Sequence, residues 1–466
     1  MAREKKRKGR SAKGTEGKES PDTVHLVPAV EWLHSHITEA LCNEVFQDVR
    51  TTERDRKWSL FALARFWEVV VLEPPPSLTQ LLERSRLGDP RGSLPVVSAS
   101  AEAFFQKCKA FSSGFFMAIY HRFVEAVLPE APPFYCGKVA RLRKRFAEVN
   151  IIDGSRLDKI AHRLKILWPQ EAATLPGCLT AVYDLYRGIA HQLWFDADAA
   201  ASEFDRGMLA IECLVEGTLL LGDRLYCNLQ MFSALNRQHC FGVFRRNRTV
   251  SIQKVRRLSR LERKGRVIED WLVRAGIGKD ALDLRLVTLK ANGNTYEALT
   301  NVLDPKRLSA REVVDLYPLR WHIERLFYDL KEVLNLHKFY AANPNAVAMQ
   351  VYAAAMVHVA FRIAQAKIAA QACIEPEKIS PKKLFPHLAL VSMRLIAAEH
   401  YFAATVRANP GVTLRKPSWK DLPDSIVSLR RILVQRRSDV RRKREFSKER
   451  KKWKSLKHIR GGEELT

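Results

Sequence analysis

Asp315 to Lys331 reads DLYPLRWHIERLFYDLK, and its spacing decides what the rest of the chain is built around. Pro318 sits where a helix can begin, because the N–H it lacks would be unpaired there in any case. At ~100° per residue, Arg320, Glu324 and Lys331 fall at about 0°, 40° and 20° on one narrow helical face. Ile323, Leu326, Leu330 and Leu334 make an apolar stripe beside it. Tyr317 precedes the proline, which biases it away from the α region, and is expected to cap that face. The bland account is a solvated Arg–Glu pair at i, i+4, worth about 0.2–0.5 kcal/mol. The adjoining apolar stripe argues for partial burial instead, and a half-buried charged face is where functional groups gather.

Two carboxylates upstream belong with it. Asp153 closes the apolar run NIID and is followed by Gly-Ser; Asp223 closes TLLLGD and is followed by Arg-Leu-Tyr. Acids at strand ends in an open α/β sheet are where metal and substrate sites gather, although Asp before a turn is also ordinary turn chemistry. Two such acids and a helical Glu suit a pair of divalent cations ~3.5–4 Å apart, holding a phosphodiester between nucleophile and leaving oxygen. Oxygen donors select Mg²⁺ or Mn²⁺ over zinc. Asp184 and Asp158 are rivals for the place of Asp153.

The charge balance points to the same substrate. The 466 residues hold 78 Lys and Arg against 51 Asp and Glu, a net +27. Residues 1–18 carry eight basic and two acidic side chains, and residues 436–460 thirteen and three. Such an excess implies a polyanionic partner, nucleic acid first and anionic membrane second, unless the tails serve only solubility. Eight cysteines without a C-x-x-C pair read as reduced thiols, not a disulfide framework or zinc site. The basic N-terminus has no apolar signal core. Val351 to Ala370 contains His358, Arg362, Gln365 and Lys367, so a buried helix fits better than a membrane span. A soluble, intracellular protein is expected.

Composition shifts divide the chain. After a basic tail (1–20), residues 21–135 have helical periodicity and end in PEAPPF. Phe104, Phe105, Phe111, Phe115, Phe116 and Tyr120 lie there, a stripe better read as core than as a platform for stacking bases. Residues 136–246 turn to strand signals: AEVNIIDGS, CLTAVYDLYRG and IAHQLWFDA resemble a three-stranded meander, and helices then alternate with strands. Residues 247–305 are basic at first, then strand-like around the turn signal ANGN, as in a β-rich insertion. Long helices are expected from Ser309 to about His337 and from Ala346 to Ala370, completing the α/β domain over 306–372. A helical region and the second basic tail fill 373–466.

Tyr317-x2-Arg320-x3-Glu324-x6-Lys331 resembles the Tyr-Arg-Glu-Lys signature of the large bacterial insertion-sequence transposases of the DDE type, the type-four family. IIDGSRL is similar to that family's first-Asp motif and LLLGDRLYCNLQMFSAL to its second, and the Asp-Gly-Ser form favours Asp153 over its rivals. The resemblance covers about Ala99 to Ala370. It implies an α/β RNase H-like catalytic core with a β-rich insertion, preceded by an all-α DNA-binding domain and followed by C-terminal helices. The 101 residues from Asp223 to Glu324 are consistent with that insertion. It further implies Asp153, Asp223 and Glu324 as the triad holding two Mg²⁺ or Mn²⁺ ions, with Tyr317, Arg320 and Lys331 on the phosphate backbone. Some relatives stack a flipped base of a hairpin end on an aromatic in the insertion; Tyr296 falls near that place and Trp271 is another candidate, a cross-strand core aromatic being the plain alternative. The implied activity is cut-and-paste transposition by a homodimer pairing two double-stranded transposon ends before joining them to target DNA, in the bacterial cytoplasm at the nucleoid. A related nuclease without strand transfer and an inactive DNA-binding relative are the other readings.

Overall fold

The computed structural model describes residues 23–135, 137–157, 177–198, 201–411, 413 and 425–434. The two basic tails and Asp158 lie outside these residues. A short strand β1 (Thr23–His25) leads into six helices: α1 (Val27–His36), α2 (Glu39–Val49), α3 (Leu60–Leu72), α4 (Leu78–Leu87), α5 (Ala101–Ala110) and α6 (Ser113–Val127). Thr38, Ser59 and Ser100 start their helices by accepting a backbone N–H three residues on. The aromatic stripe turns inward. Phe104, Phe111, Phe115, Phe116 and Tyr120 are buried, and Phe111 stacks on Phe115 at 4.7 Å between centroids. Only Phe105 keeps an exposed edge.

After the short α7 (Lys138–Leu142) the chain enters a nine-stranded sheet. Its first five strands are β2 (Val149–Arg156), β3 (Cys178–Asp184), β4 (Ile189–Asp196), β5 (Leu219–Gly222) and β6 (Phe241–Arg245). Helix α8 (Glu203–Glu212) lies between β4 and β5, and α9 (Leu229–Arg237) between β5 and β6. The remaining strands are β7 (Ile252–Arg263), β8 (Arg266–Ala275), β9 (Leu282–Ala291) and β10 (Asn294–Thr300), and the spatial order is β4-β3-β2-β5-β6-β10-β9-β8-β7. β2, β3 and β4 form the expected antiparallel meander, while β5 lies parallel to both β2 and β6. Ile151–Ile152 and the run LLLG are apolar on both faces because both faces are covered. Ile151, Leu219, Leu221 and Val243 enter one core; Ile152, Leu220 and Phe244 enter the other.

The basic stretch after Asn247, with no clean apolar alternation, forms a long exposed ribbon of β7 and β8. It turns at Lys264–Gly265, both with positive φ (48° and 70°), and the ANGN signal turns likewise at Asn292–Gly293 (50° and 73°). Two successive left-handed residues are what a two-residue hairpin demands. β10 pairs with β6, so the ribbon continues the same sheet as β2 and β5. Where it joins the body, Arg285 and Asp270 form a fully buried pair (2.5 Å). Arg285 Nη1 also donates to the carbonyls of Val302 and Leu308.

The expected long helix from Ser309 is instead α10 (Ala310–Leu316), a 3₁₀ turn (Tyr317–Arg320), α11 (Trp321–Tyr328) and a π turn (Asp329–Val333). Tyr317 does not leave the α region: its φ and ψ are −56° and −40°. Its N–H bonds the Val313 carbonyl and its ring packs on Tyr296, and these contacts override the bias imposed by Pro318. Ser309 and Glu312 form a reciprocal capping box, and Glu312 also accepts from Arg145 at 2.5 Å. Burial works against the Glu312 carboxylate, but the bonds from Arg145 and Ser309 outweigh it and bring its pKa down to about 2. A depressed carboxyl stabilises the fold above its unfolded pKa of 4.5 and loses that effect as pH falls through about 2. Glu312→Gln should therefore cost about 1 kcal/mol at pH 7, a partly exposed pair being worth little more. Thermal melts should show that gap closing between pH 5 and pH 2.

Helices α12 (Pro344–Gln371) and α13 (Pro381–Ala408) follow. Among the described residues α12 is the one helix long and apolar enough to cross a membrane, and its apolar window is wholly buried inside the protein. Strand β11 (Ile426–Ser428), antiparallel to β1, and a single turn α14 (Leu429–Ile432) complete the described chain.

Candidate active site

Ile151 pairs with Leu221 in the parallel ladder of β2 and β5. Each acid follows that pair by two residues, Asp153 within β2 and Asp223 just past the end of β5, and they lie near enough for the charge of Asp223 to act on Asp153. Asp153 was expected to end its strand but does not: β2 runs on to Arg156 against β3, and it is the pairing with β5 that stops at Ile151. On β6, Arg245 follows Phe244, the partner of Gly222, and its charge acts on Tyr296.

The 3₁₀ turn and α11 cross β2 at this point. Arg320, largely buried, donates from Nη1 to Asp153 Oδ2 at 2.5 Å and from Nη2 to Glu324 Oε1 at 3.3 Å. The guanidinium thus lies between the first and third proposed acids. Lys331 Nζ donates to Ser155 Oγ at 2.7 Å and to the Arg156 carbonyl. Asp153 and Ser155 share one face of β2, so Arg320 and Lys331 hold the helical segment to a single strand edge. Lys331 sits in the π turn, whose wider step alters the angular spacing a continuous helix would have given.

Burial raises the Asp153 carboxyl; Arg320 opposes this, and the charges of Glu203 and Asp223 add to it, leaving the group at about 7. Glu203 was not foreseen. It opens α8 on the opposite face of the sheet, with its carboxyl against Gly154 and accepting from the Tyr226 hydroxyl at 2.8 Å. Any Cβ at residue 154 would collide with that carboxyl, which gives the glycine after Asp153 a packing reason. Burial also raises the Glu203 carboxyl; the bond from Tyr226 opposes this and Asp223 reinforces it. In the sequence, an acid in the first turn of a helix passes for ordinary dipole chemistry.

The remaining candidates divide. Tyr317 and Tyr296 meet, 4.6 Å between centroids, so β10 reaches the 3₁₀ turn, and the Tyr296 hydroxyl is buried without a partner. Trp271 is on β8, with Lys254 Nζ 4.5 Å and the Arg257 guanidinium 5.8 Å from its ring centroid, and no contact ties it to the acids. Asp184 is the last residue of β3, paired with Asn150, and its carboxylate serves the turn through Tyr186 N, Arg187 N and the Arg187 guanidinium. Among the described residues, no three His, Cys, Asp or Glu side chains stand close enough to hold one ion. Asp153 and Asp223 are brought together; Glu324 is turned to Arg320.

Residues 191–360 match the family model of the transposase DDE domain. A putative transposase (y4zB) of Sinorhizobium fredii is 35% identical over 176 residues, 36% of this chain and 48% of that protein. A putative transposase for an insertion sequence element of Synechocystis is 24% identical over 161 residues, 34% and 44% of the two chains. The chain thus spans less than half the length of these curated relatives. Among solved structures, a piggyBac transposase synaptic complex with hairpin DNA covers 84% of this chain and 88% of its own, at 9% identity and a TM-score of 0.39, too distant to carry an inference. The likeness to insertion-sequence DDE transposases is therefore shown, and the matched segment contains Asp223, Tyr317, Arg320, Glu324 and Lys331.

Proposed function

We propose that the protein is a DNA transposase of the type-four insertion-sequence kind, cutting at the ends of its element and joining the freed 3′-hydroxyls to target DNA. The observation that carries this reading is the approach of Asp153 and Asp223 beyond the last β2–β5 pair, crossed by Arg320 and Lys331 from the segment that also holds Glu324. The meander of β2–β4 joined in parallel to β5 and β6 supports an RNase H-like core.

The donor chemistry fits hard divalent cations. Asp153, Asp223 and Glu324 offer only carboxylate oxygens, and burial beside Glu203 and Asp223 makes a second negative charge at Asp153 costly without a positive partner. These three residues would hold two Mg²⁺ or Mn²⁺ ions, which when bound supply Lewis acidity and a deprotonated water or hydroxyl at neutral pH. Arg320 neutralises Asp153 and Glu324 in the meantime, and on substrate entry its planar fork matches a phosphate as well as it matches these carboxylates. Lys331 supplies a point charge beside it. Tyr317, with Tyr296 behind it, gives the 3₁₀ turn an aromatic wall against which a nucleotide can rest; Arg245, whose charge acts on Tyr296, extends the cationic lining. The α1–α6 block would recognise the terminal repeats, the exposed basic face of β7 with Trp271 would follow the duplex backbone, and two copies would pair the ends. Cytoplasmic location at the nucleoid follows from that substrate.

The test is incubation of the intact chain with Mg²⁺, a labelled duplex bearing the element's own ends, and a second plasmid. Nicks leaving 3′-hydroxyls at the end junction, followed by joined products, are expected. Cleavage without joining identifies a nuclease, and binding without cleavage at any Mg²⁺ or Mn²⁺ concentration overturns the catalytic reading.

A further inference from the structure

Tyr226, a fully buried phenol three residues past Asp223, donates from its hydroxyl to Glu203 Oε1 at 2.8 Å. The turn from Asp223 to Tyr226 is fixed: Leu225 N–H bonds Asp223 Oδ1 at 2.7 Å, and Cys227 N–H bonds the Arg224 carbonyl at 3.2 Å. At its other end the Glu203 carboxyl lies against Gly154, the residue after Asp153. Successive residues of a strand point to opposite faces, so Glu203 and Tyr226 stand behind the strand that carries Asp153. Tyr226 shares that rear core with Ile152 and Phe244. Helix α8 is itself held in place, by Ser202 Oγ accepting from Asp205 N–H and by Arg206 donating to Asp196 at the end of β4.

Three glycines make room for this contact. A Cβ at Gly154 would overlap Glu203 Cδ, and one at Gly207 would lie 2.7 Å from Tyr226 Cε1. One at Gly222 would lie 3.0 Å from Tyr226 Cδ2 and 2.9 Å from Phe244 Cδ1. None of the three has a positive φ, so space and not backbone conformation calls for glycine there. Gly207 is inside α8, where glycine is a poor helix former. β2, α8 and β5 thus each forgo a side chain where the Tyr226–Glu203 pair is seated. The pair does not ease the electrostatics, since the charges of Glu203 and Asp223 both disfavour a charged Asp153. Its contribution is mechanical: one link from the residue after Asp153 to the turn that begins at Asp223.

We infer that Glu203 and Tyr226 are positioning residues, a strut behind the sheet that sets the separation of Asp153 and Asp223 and so presents both carboxylates to the same cations. Neither is placed to touch the reacting atoms: Tyr226 is enclosed in the core, and Glu203 is seated on the face of β2 opposite Asp153. The inference rests on the reading that these acids hold divalent ions, and it needs no DNA.

The experiment titrates the full chain with Mn²⁺ alone, reading free Mn²⁺ by electron paramagnetic resonance, and in parallel follows amide hydrogen exchange without metal. Tyr226→Phe keeps the ring and deletes the bond, Glu203→Ala deletes it from the other side, and Glu203→Gln can still accept it. Groups that orient metal ligands are worth about 10–100-fold in affinity, so Tyr226→Phe and Glu203→Ala should each weaken Mn²⁺ binding about 10-fold. The double variant should bind no worse than the weaker single one, because the two residues act as a unit. Glu203→Gln should stay within about three-fold of the parent, the link being kept. Exchange in residues 150–157 and 219–228 should quicken about 10-fold in Tyr226→Phe, with β7, β8 and β9 unchanged. Mn²⁺ binding by Tyr226→Phe within about two-fold of the parent overturns the strut. So does Glu203→Gln binding as weakly as Glu203→Ala, which would make the charge and not the link decisive. If the parental chain takes up no Mn²⁺, the metal-based reading fails by itself, and unaltered exchange in Tyr226→Phe then overturns the strut.

Discussion

Glu324→Gln should bind element-end DNA within about two-fold of the parent and cut it about 10³-fold more slowly or worse. The amide keeps the size of the side chain and can still accept from Arg320, which sits 3.3 Å away. What disappears is the negative charge that a divalent cation needs, and a bound ion's stabilisation of the reacting oxygens is worth several kcal/mol, each 1.36 kcal/mol being tenfold in rate. Single-turnover cleavage on a denaturing gel with a parallel binding titration separates the two effects. Asp223→Asn should match it, and the double variant should be little worse than either, because residues that act as a unit do not contribute additively. Parental rates in both single variants would remove these acids from the chemistry.

The largest change in stability should come from a residue remote from the acids. Arg285→Met leaves Asp270 as an unpaired charge with 1% of its side chain exposed and strips donors from the carbonyls of Val302 and Leu308. Removing one partner of such a pair costs about 3–5 kcal/mol, whereas replacing both by apolar groups is often neutral. The apparent Tm of Arg285→Met should fall by about 3–5 °C, and adding Asp270→Leu should recover most of the loss. If the double variant melts no higher than the single one, the carbonyl bonds and not the stranded carboxylate dominate.

How much of this was visible beforehand depended on whether a residue's type and its neighbours carried the signal. Asp153 and Asp223 announced themselves as acids closing apolar runs, and the strands that align them were legible in NII and LLL. The ANGN turn was legible for the same reason, since Asn-Gly readily takes two positive φ values, whereas Lys264–Gly265 makes an equivalent turn from a pair that looks like part of a charge run. The ribbon strand β7 lacks apolar alternation because it is an edge strand exposed along most of its length, so nothing in its pattern named it a strand. Breaks in the long helix were hidden too. A π turn has no residue signature, and the backbone of Tyr317 was decided by contact with Tyr296 rather than by its neighbour Pro318. Glu203 reaches the site only through topology, from a helix packed against Gly154, and Arg245 only through its place beside Tyr296.

The pairing of β10 with β6 makes the basic ribbon a cantilever and not a tethered arm. Its load path runs through the ladder β6–β5–β2, beyond whose end Asp223 and Asp153 lie, and through the Tyr296–Tyr317 contact into the turn that bears Arg320. On the proposed function, a duplex pulling on its tip would strain the very beams that hold the acids, making grip on DNA and alignment of the proposed cutting edge mechanically one property.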